Sequence, residues 1–236
     1  MLVRRVNFLR ASIESEYGDS MKELILVRHG EAEHLIKGLV GGGTDFSLTD
    51  GGRKQIELTG KRLKELFGTR IEIMYSSDLK RASESAKIIQ SEINVPLTLN
   101  SQLREMSRGI AEGMTIEEAK KIRRPLTEPQ LDWIPYPEGE SWRMMQERAS
   151  IALNQIKQQS EEVVLLVGHG NLISAIIELW LQLPEDFNLD FVIHPASITV
   201  LGVSVWGYRE IRKLNETAYL TGEGLDYSSL ESDSLS

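Results

Sequence analysis

The chain carries four histidines in 236 residues: His29, His34, His169 and His194. Two of them share a local grammar. Leu24-Ile25-Leu26-Val27 runs into Arg28-His29-Gly30, and Val163-Val164-Leu165-Leu166-Val167 runs into Gly168-His169-Gly170. Each imidazole therefore stands where an apolar strand should end. A ring that titrates near neutrality can attack phosphorus through its free nitrogen. Arg28 precedes the first histidine, and Arg81 falls in the first turn of a helix expected after a second strand. A phosphoryl group carries about −1.5 to −2 charges at neutral pH. It favours guanidinium donors and the open N–H groups of a helix N-terminus, such as the one that Gly170 should begin. Two arginines and two histidines on one rim would make an anion site with a nucleophile inside it. A metal centre is not expected. His29 and His34 are five apart with Gly30 between, unlike the i, i+4 pair of a zinc helix. No ligand spacing brings Asp45 or Glu105 into such a set.

The elements that must position these residues follow from periodicity. Residues 23–27 and 163–167 read as buried strands, and 71–77 as another. Helices are expected over 51–67, closed by Gly68, and over 79–91, capped by Ser77 or Asp78. Ile56, Leu63, Leu66 and Phe67 share one face of the first; Ala82, Ala86 and Ile89 share one face of the second. Further helices are expected over 139–158, with Met145, Ala149, Ala152 and Ile156 as its stripe, and from Gly170 to about 182. The stretch 106–140 holds four of the seven prolines and reads as a lid-like insertion with one short helix near 115–123. "SITVLGVSV" and "REIRKL" read as two strands joined at Trp206-Gly207. Alternating strands and helices predict an α/β fold: a three-layer α/β/α sandwich, its sheet mostly parallel, with one antiparallel edge strand. In such sheets ligands gather at the carboxyl ends of strands, which gives His29 and His169 a reason to meet.

Composition sets limits. The hydrophobic fraction is 41%, the charged fraction 26%, and cysteine is absent, so thiol catalysis, disulfides and thiolate metal sites are excluded. The net charge of −8 argues against nucleic acid, which needs a basic face. No apolar run approaches the length needed to span a bilayer, and residues 1–20 lack the apolar core of a signal peptide. A cytoplasmic location, and a monomer or homodimer, are the expectations. Residues 1–20 read as an N-terminal extension and 21–221 as the domain. Residues 222–236, with four acids and no base, read as a disordered acidic tail.

The motifs also resemble a family. "LVRHGEA" (26–32) is similar to the signature of the histidine phosphatase superfamily, the phosphoglycerate mutase-like fold. In order, "TDFSLTDGGRKQ" (44–55), "YSSDLKRASESA" (75–86), "LREMSRGIAEG" (103–113), "GES" (139–141), "VGHGN" (167–171) and "LNETAYL" (214–220) continue the likeness. The resemblance implies that His29 is the phosphorylated nucleophile and that Arg28 and Arg81 bind phosphoryl oxygens. It implies that His169 steadies the transferring group and that Glu105 moves the proton. Neither metal nor other cofactor is implied. "EMSRGIAEGMT" after the glutamate departs from the mutase pattern, so a phosphatase acting on a small phosphorylated metabolite is expected. A cofactor-dependent mutase and a non-catalytic phosphate-binding module are the alternatives. Leu35 stands where relatives commonly carry asparagine, Gly41 where a polar residue is common, and Tyr219 where a histidine is. Leu35, Met106, Trp133 and Trp142 are the expected pocket walls. His34 and His194 match no motif and read as incidental.

Overall fold

The computed structural model of the chain describes residues 21–184 and 189–221. The expected N-terminal extension and acidic tail lie outside them. β1 (Glu23–Arg28) is buried along its whole length. Its side chains serve two cores: Leu24 and Leu26 face one, Ile25 and Val27 the other. A strand covered on both faces has no polar side to show, which explains the unbroken apolar run. β4 (Val163–Gly168) is built alike, with Val164 and Leu166 on the first face and Leu165 and Val167 on the second.

β2 (Ile73–Ser76), β3 (Leu97–Leu99), β5 (Ile198–Val203) and β6 (Arg209–Glu216) complete a six-stranded sheet in the order β3-β2-β4-β1-β5-β6. The four strands from β3 to β1 pair in parallel. The edge strand β6 pairs antiparallel, and the antiparallel region reaches one strand further in than expected, because β5 also runs against β1.

Helices α1 (Glu33–Ile36), α2 (Asp50–Phe67) and α3 (Lys80–Ile93) precede the middle stretch; α4 (Ile116–Ile122) lies within it. α5 (Trp142–Lys157) and α6 (Gly170–Leu181) follow. Ile56, Leu63 and Phe67 of α2 and Ala86 and Ile89 of α3 cover the face of Ile25 and Val27. Ala149, Ala152 and Ile156 of α5, with Leu172 and Ile176 of α6, cover the opposite face. The result is a three-layer α/β/α sandwich. None of its described helices is long and apolar enough to cross a membrane.

Several helix ends follow local chemistry, and α3 departs from it. Thr49 caps α2 by accepting from Gly52 N–H at 2.9 Å, and Gly68 closes it with a φ of 57°. Thr115 and Glu118 form a capping box at α4. The cap of α3 is Leu79, not Ser77 or Asp78, and its side chain makes no cap bond. Asp78 is occupied by a two-pronged pair with Arg104, at 2.7 and 2.6 Å. The Lys80 N–H is instead accepted by Asp45 Oδ1, at 2.6 Å, from the loop before α2.

The 106–140 stretch folds against the loop after α1. Val40 N–H reaches Met114 O, Gly113 N–H reaches Val40 O, and Ile116 N–H reaches Gly38 O. Val40, Ala111, Ala119 and Tyr136 bury a small core of their own there.

Candidate active site

Register brings the two histidines together. In the parallel pair β1–β4, Arg28 stands opposite Gly168, so the next residue of each strand leaves the sheet beside the other. The ring centroids of His29 and His169 are 5.1 Å apart, near edge-on. Both are buried. His29 Nδ1 lies 2.7 Å from Gly30 O. A carbonyl can only accept, so the proton sits on Nδ1 and Nε2 keeps its lone pair. Arg81 Nε–H points at that lone pair from 3.2 Å.

Burial pushes both imidazoles well below their ordinary value of 6.5, and the cations of Arg81 and Arg28 push the same way. Both rings are therefore neutral at pH 7. His169 Nε2 lies 2.9 Å from Ser77 Oγ, which also accepts the Leu79 N–H at 3.2 Å. Ser77 is buried at the exit of β2 and fixes the second imidazole.

Arg81 is buried at 1% exposure and is directed by backbone carbonyls. Its Nη1 donates to Thr44 O and its Nη2 to Gly42 O, each at 2.7 Å. Burial, partly offset by Glu105, lowers it to about 10, so it remains charged near neutrality. Arg28 Nη1 donates to Ile193 O at 2.6 Å, tying the 191–194 segment to the site. Gly170 opens α6 so close to this guanidinium that a Cβ there would lie 3.3 Å from Nη1. Glu105 is half-buried; its Oε2 accepts from Asn171 N–H at 3.2 Å, at the positive end of α6, and its Oε1 from its neighbour Met106 N–H at 2.8 Å.

The glycine after His29 is explained by clearance. A Cβ on Gly30 would come within 2.5 Å of Gly52 O, and a Cβ on Gly52 would collide with the carbonyl of Glu31. The exit of β1 and the first turn of α2 touch backbone to backbone. Glu112 organises residues 41–44, the arginine loop whose carbonyls direct Arg81: Oε1 accepts from Gly43 N–H at 2.8 Å, Ser107 Oγ at 3.0 Å and Arg108 N–H at 2.9 Å.

These groups line a cavity of about 110 Å³. Arg28, His29, Arg81, Glu105 and Gly170 border it, while His169 stands behind His29. The four expected walls are elsewhere. Leu35 neighbours His34 on α1, and one step along a helix turns a side chain about 100° away. Met106 and Trp142 pack with Met145 and Ala175, and the Trp142 N–H bonds Glu178 Oε2 at 2.9 Å. Trp133 lies under the Arg123 guanidinium, 4.9 Å from its ring centre. The walls are Leu39, Val40, Ile116, Phe191, Val192 and Ile193, joined by His34, Arg108 and His194. Neither His34 nor His194 is incidental in position. No spacing signal marked them; the fold alone turns them inward. Among the described residues, no group of three or more His, Asp or Glu is placed to hold a metal ion.

Comparison with known proteins agrees with this geometry. Residues 24–217 match the model of the histidine phosphatase superfamily (branch 1). An acid phosphatase of Mycobacterium tuberculosis (strain ATCC 25618 / H37Rv) is 33% identical, over 83% of this chain and 93% of its own length. Phosphoglycerate mutase-like protein 4 of Arabidopsis thaliana is 30% identical, over 88% and 94% respectively. A solved structure of a Mycobacterium tuberculosis open reading frame superposes with a TM-score of 0.68 at 32% identity, covering 83% of this chain and 98% of that one. The ordered motifs, the sheet and the matched length thus converge, and the chain belongs to the histidine phosphatase superfamily, branch 1.

Proposed function

We propose that this chain is a metal-independent phosphomonoester phosphatase that works through a phosphohistidine at His29. The observation that carries the reading is the orientation of that ring. Gly30 O holds the proton on Nδ1, which leaves Nε2 as a free base beside Arg81. Nε2 attacks phosphorus; the phosphorus–oxygen bond to the leaving group breaks as the nitrogen–phosphorus bond forms. Glu105 gives its proton to the departing oxygen. Water then attacks the phosphohistidine, Glu105 takes a proton from that water, and phosphate leaves with His29 returned to its neutral form. Arg28 and Arg81 offset the charge that builds on the phosphoryl oxygens, and His169, set behind His29, steadies the transferring group through that ring. A cavity of about 110 Å³ suits a compact phosphorylated metabolite.

Rapid acid quench with a phosphorus-labelled aryl phosphate tests the scheme. Label should appear on His29 during turnover. His29→Ala should lose the label and at least about 10³-fold in kcat. A wild type that hydrolyses substrate without acquiring label would reject the covalent route. Relatives named for mutases make one control necessary: isomerisation of a phosphoglycerate with a bisphosphate primer should run slower than phosphate release.

A further inference from the structure

We infer that His34 is a third histidine of the site and donates a ring N–H to a phosphoryl oxygen of the bound substrate; the inference rests on the phosphatase reading for the identity of that ligand. The ring is buried and borders the cavity, with its centre 6.2 Å from the His29 ring. The two rings therefore border the same cavity, close enough for one phosphoryl group at its floor to meet both. Phe46 stacks on the outer face of His34 at 5.4 Å and 23°, which fixes the ring plane. One edge, Cδ2 and Nε2, arrives over Gly41, where a Cβ would lie 2.7 Å from both atoms. The absence of a side chain at 41 and the presence of an imidazole at 34 are thus one arrangement: the loop is bare where the ring edge enters.

Such a donor would add to Arg28 at the cavity. Arg81 already directs Nε, Nη1 and Nη2 toward His29, Thr44 and Gly42, and the Asn171 N–H is taken by Glu105. A phosphoryl group presents three oxygens, each able to accept more than one bond. An imidazole carries at least one N–H in either tautomer and two when charged.

Five preparations test this against a plain aromatic stack: wild type, His34→Phe, Gly41→Ala, His34→Ala and the double variant His34→Ala/Gly41→Ala, each titrated with inorganic phosphate by calorimetry and melted to confirm folding. Phenylalanine keeps the stack on Phe46 and removes the donor. His34→Phe should bind phosphate about tenfold more weakly and raise KM for an aryl phosphate by a similar factor, at an unchanged melting temperature. Gly41→Ala should weaken phosphate comparably by displacing the ring. It should add nothing in a His34→Ala background, where no ring remains to displace. Wild-type affinity in folded His34→Phe overturns the inference, and so does full additivity of Gly41→Ala with His34→Ala. Phosphate binding is read without turnover, so the two failures separate: a wild type that binds phosphate but traps no phosphohistidine refutes the catalytic scheme alone, whereas one that binds no phosphate overturns both.

Discussion

His29 and His169 are neutral for a shared reason: each is buried beside Arg81 and Arg28, so the charged form is penalised twice. His29, the proposed nucleophile, therefore stays unprotonated below the range in which a free imidazole charges. The acid limb of kcat/KM should fall below pH 6.5, and a limb centred at or above 6.5 would contradict the assignment. Stability follows the same groups. Unfolding restores each ring to its ordinary value, so below about pH 6.5 the unfolded chain binds the extra protons. The stability that the neutral rings permit is full above that pH and is lost as pH falls, and His169→Gln should flatten that decline in urea midpoint. Ser77→Ala removes the hydroxyl that fixes His169, and should lower kcat about tenfold while leaving KM nearly unchanged. The legible residues were those tied to sequence punctuation. Arg28, His29, Arg81 and His169 sit at strand exits or helix starts, where residue type and backbone position coincide, whereas Glu105 lies in a loop and was marked by its motif alone. The wall residues have no such anchor. Leu35 faces away because the rotation of α1 turns His34 inward, and Trp133 and Trp142 satisfy partners in their own packing. Size and apolarity alone could not distinguish those outcomes.

At the scale of elements, the arginine loop has no secondary structure of its own and is held by a carboxylate. Glu112 collects two backbone N–H groups and one hydroxyl, so removing it strands donors that are costly to leave without acceptors, about 1–3 kcal/mol each where they are buried. Glu112→Ala should loosen residues 41–44, where Arg81 finds its two carbonyls, and reduce kcat/KM about tenfold to a hundredfold. Amide exchange at Gly43 checks the cause, since an unchanged Gly43 would place the effect elsewhere. Most helices were readable from their stripes, and Gly68 marked the end of α2 correctly, while its Thr49 cap was not foreseen. Nor was the start of α3. Ser77 and Asp78 carry capping side chains, but one holds His169 and the other holds Arg104. Capping preference is a local rule, and two distant partners overrode it.

Across the described residues, the two cores clamp β1 and β4 from both sides and place His29 and His169 at the carboxyl ends of the central strands. In the proposed scheme the cations that meet the phosphoryl group are the side chains of Arg28 and Arg81, with no metal ion. Exhaustive dialysis against a chelator should therefore leave kcat within about twofold, and loss of activity restored by a divalent cation would overturn the metal-free scheme. The cavity's size gives a second expectation at this scale. In a panel of phosphomonoesters, compact substrates should exceed phosphorylated protein in kcat/KM by more than about tenfold, and the reverse order would reject a small-molecule role. The α/β/α architecture was legible because unbroken apolar strands and striped helices alternate along the chain. The inward reach of the antiparallel region was not, because nothing in β5 itself records the direction of its neighbour.

The bare backbone contact between the exit of β1 and the first turn of α2 has a consequence for how this chain can vary. Gly30 and Gly52 carry no functional group and touch no substrate, yet neither leaves room for a single added carbon. In a saturation library selected for activity, both positions should be as intolerant as His29 itself, while the chemically richer Trp133 accepts other aromatics. Clearance would then constrain these two positions as firmly as reactivity constrains His29.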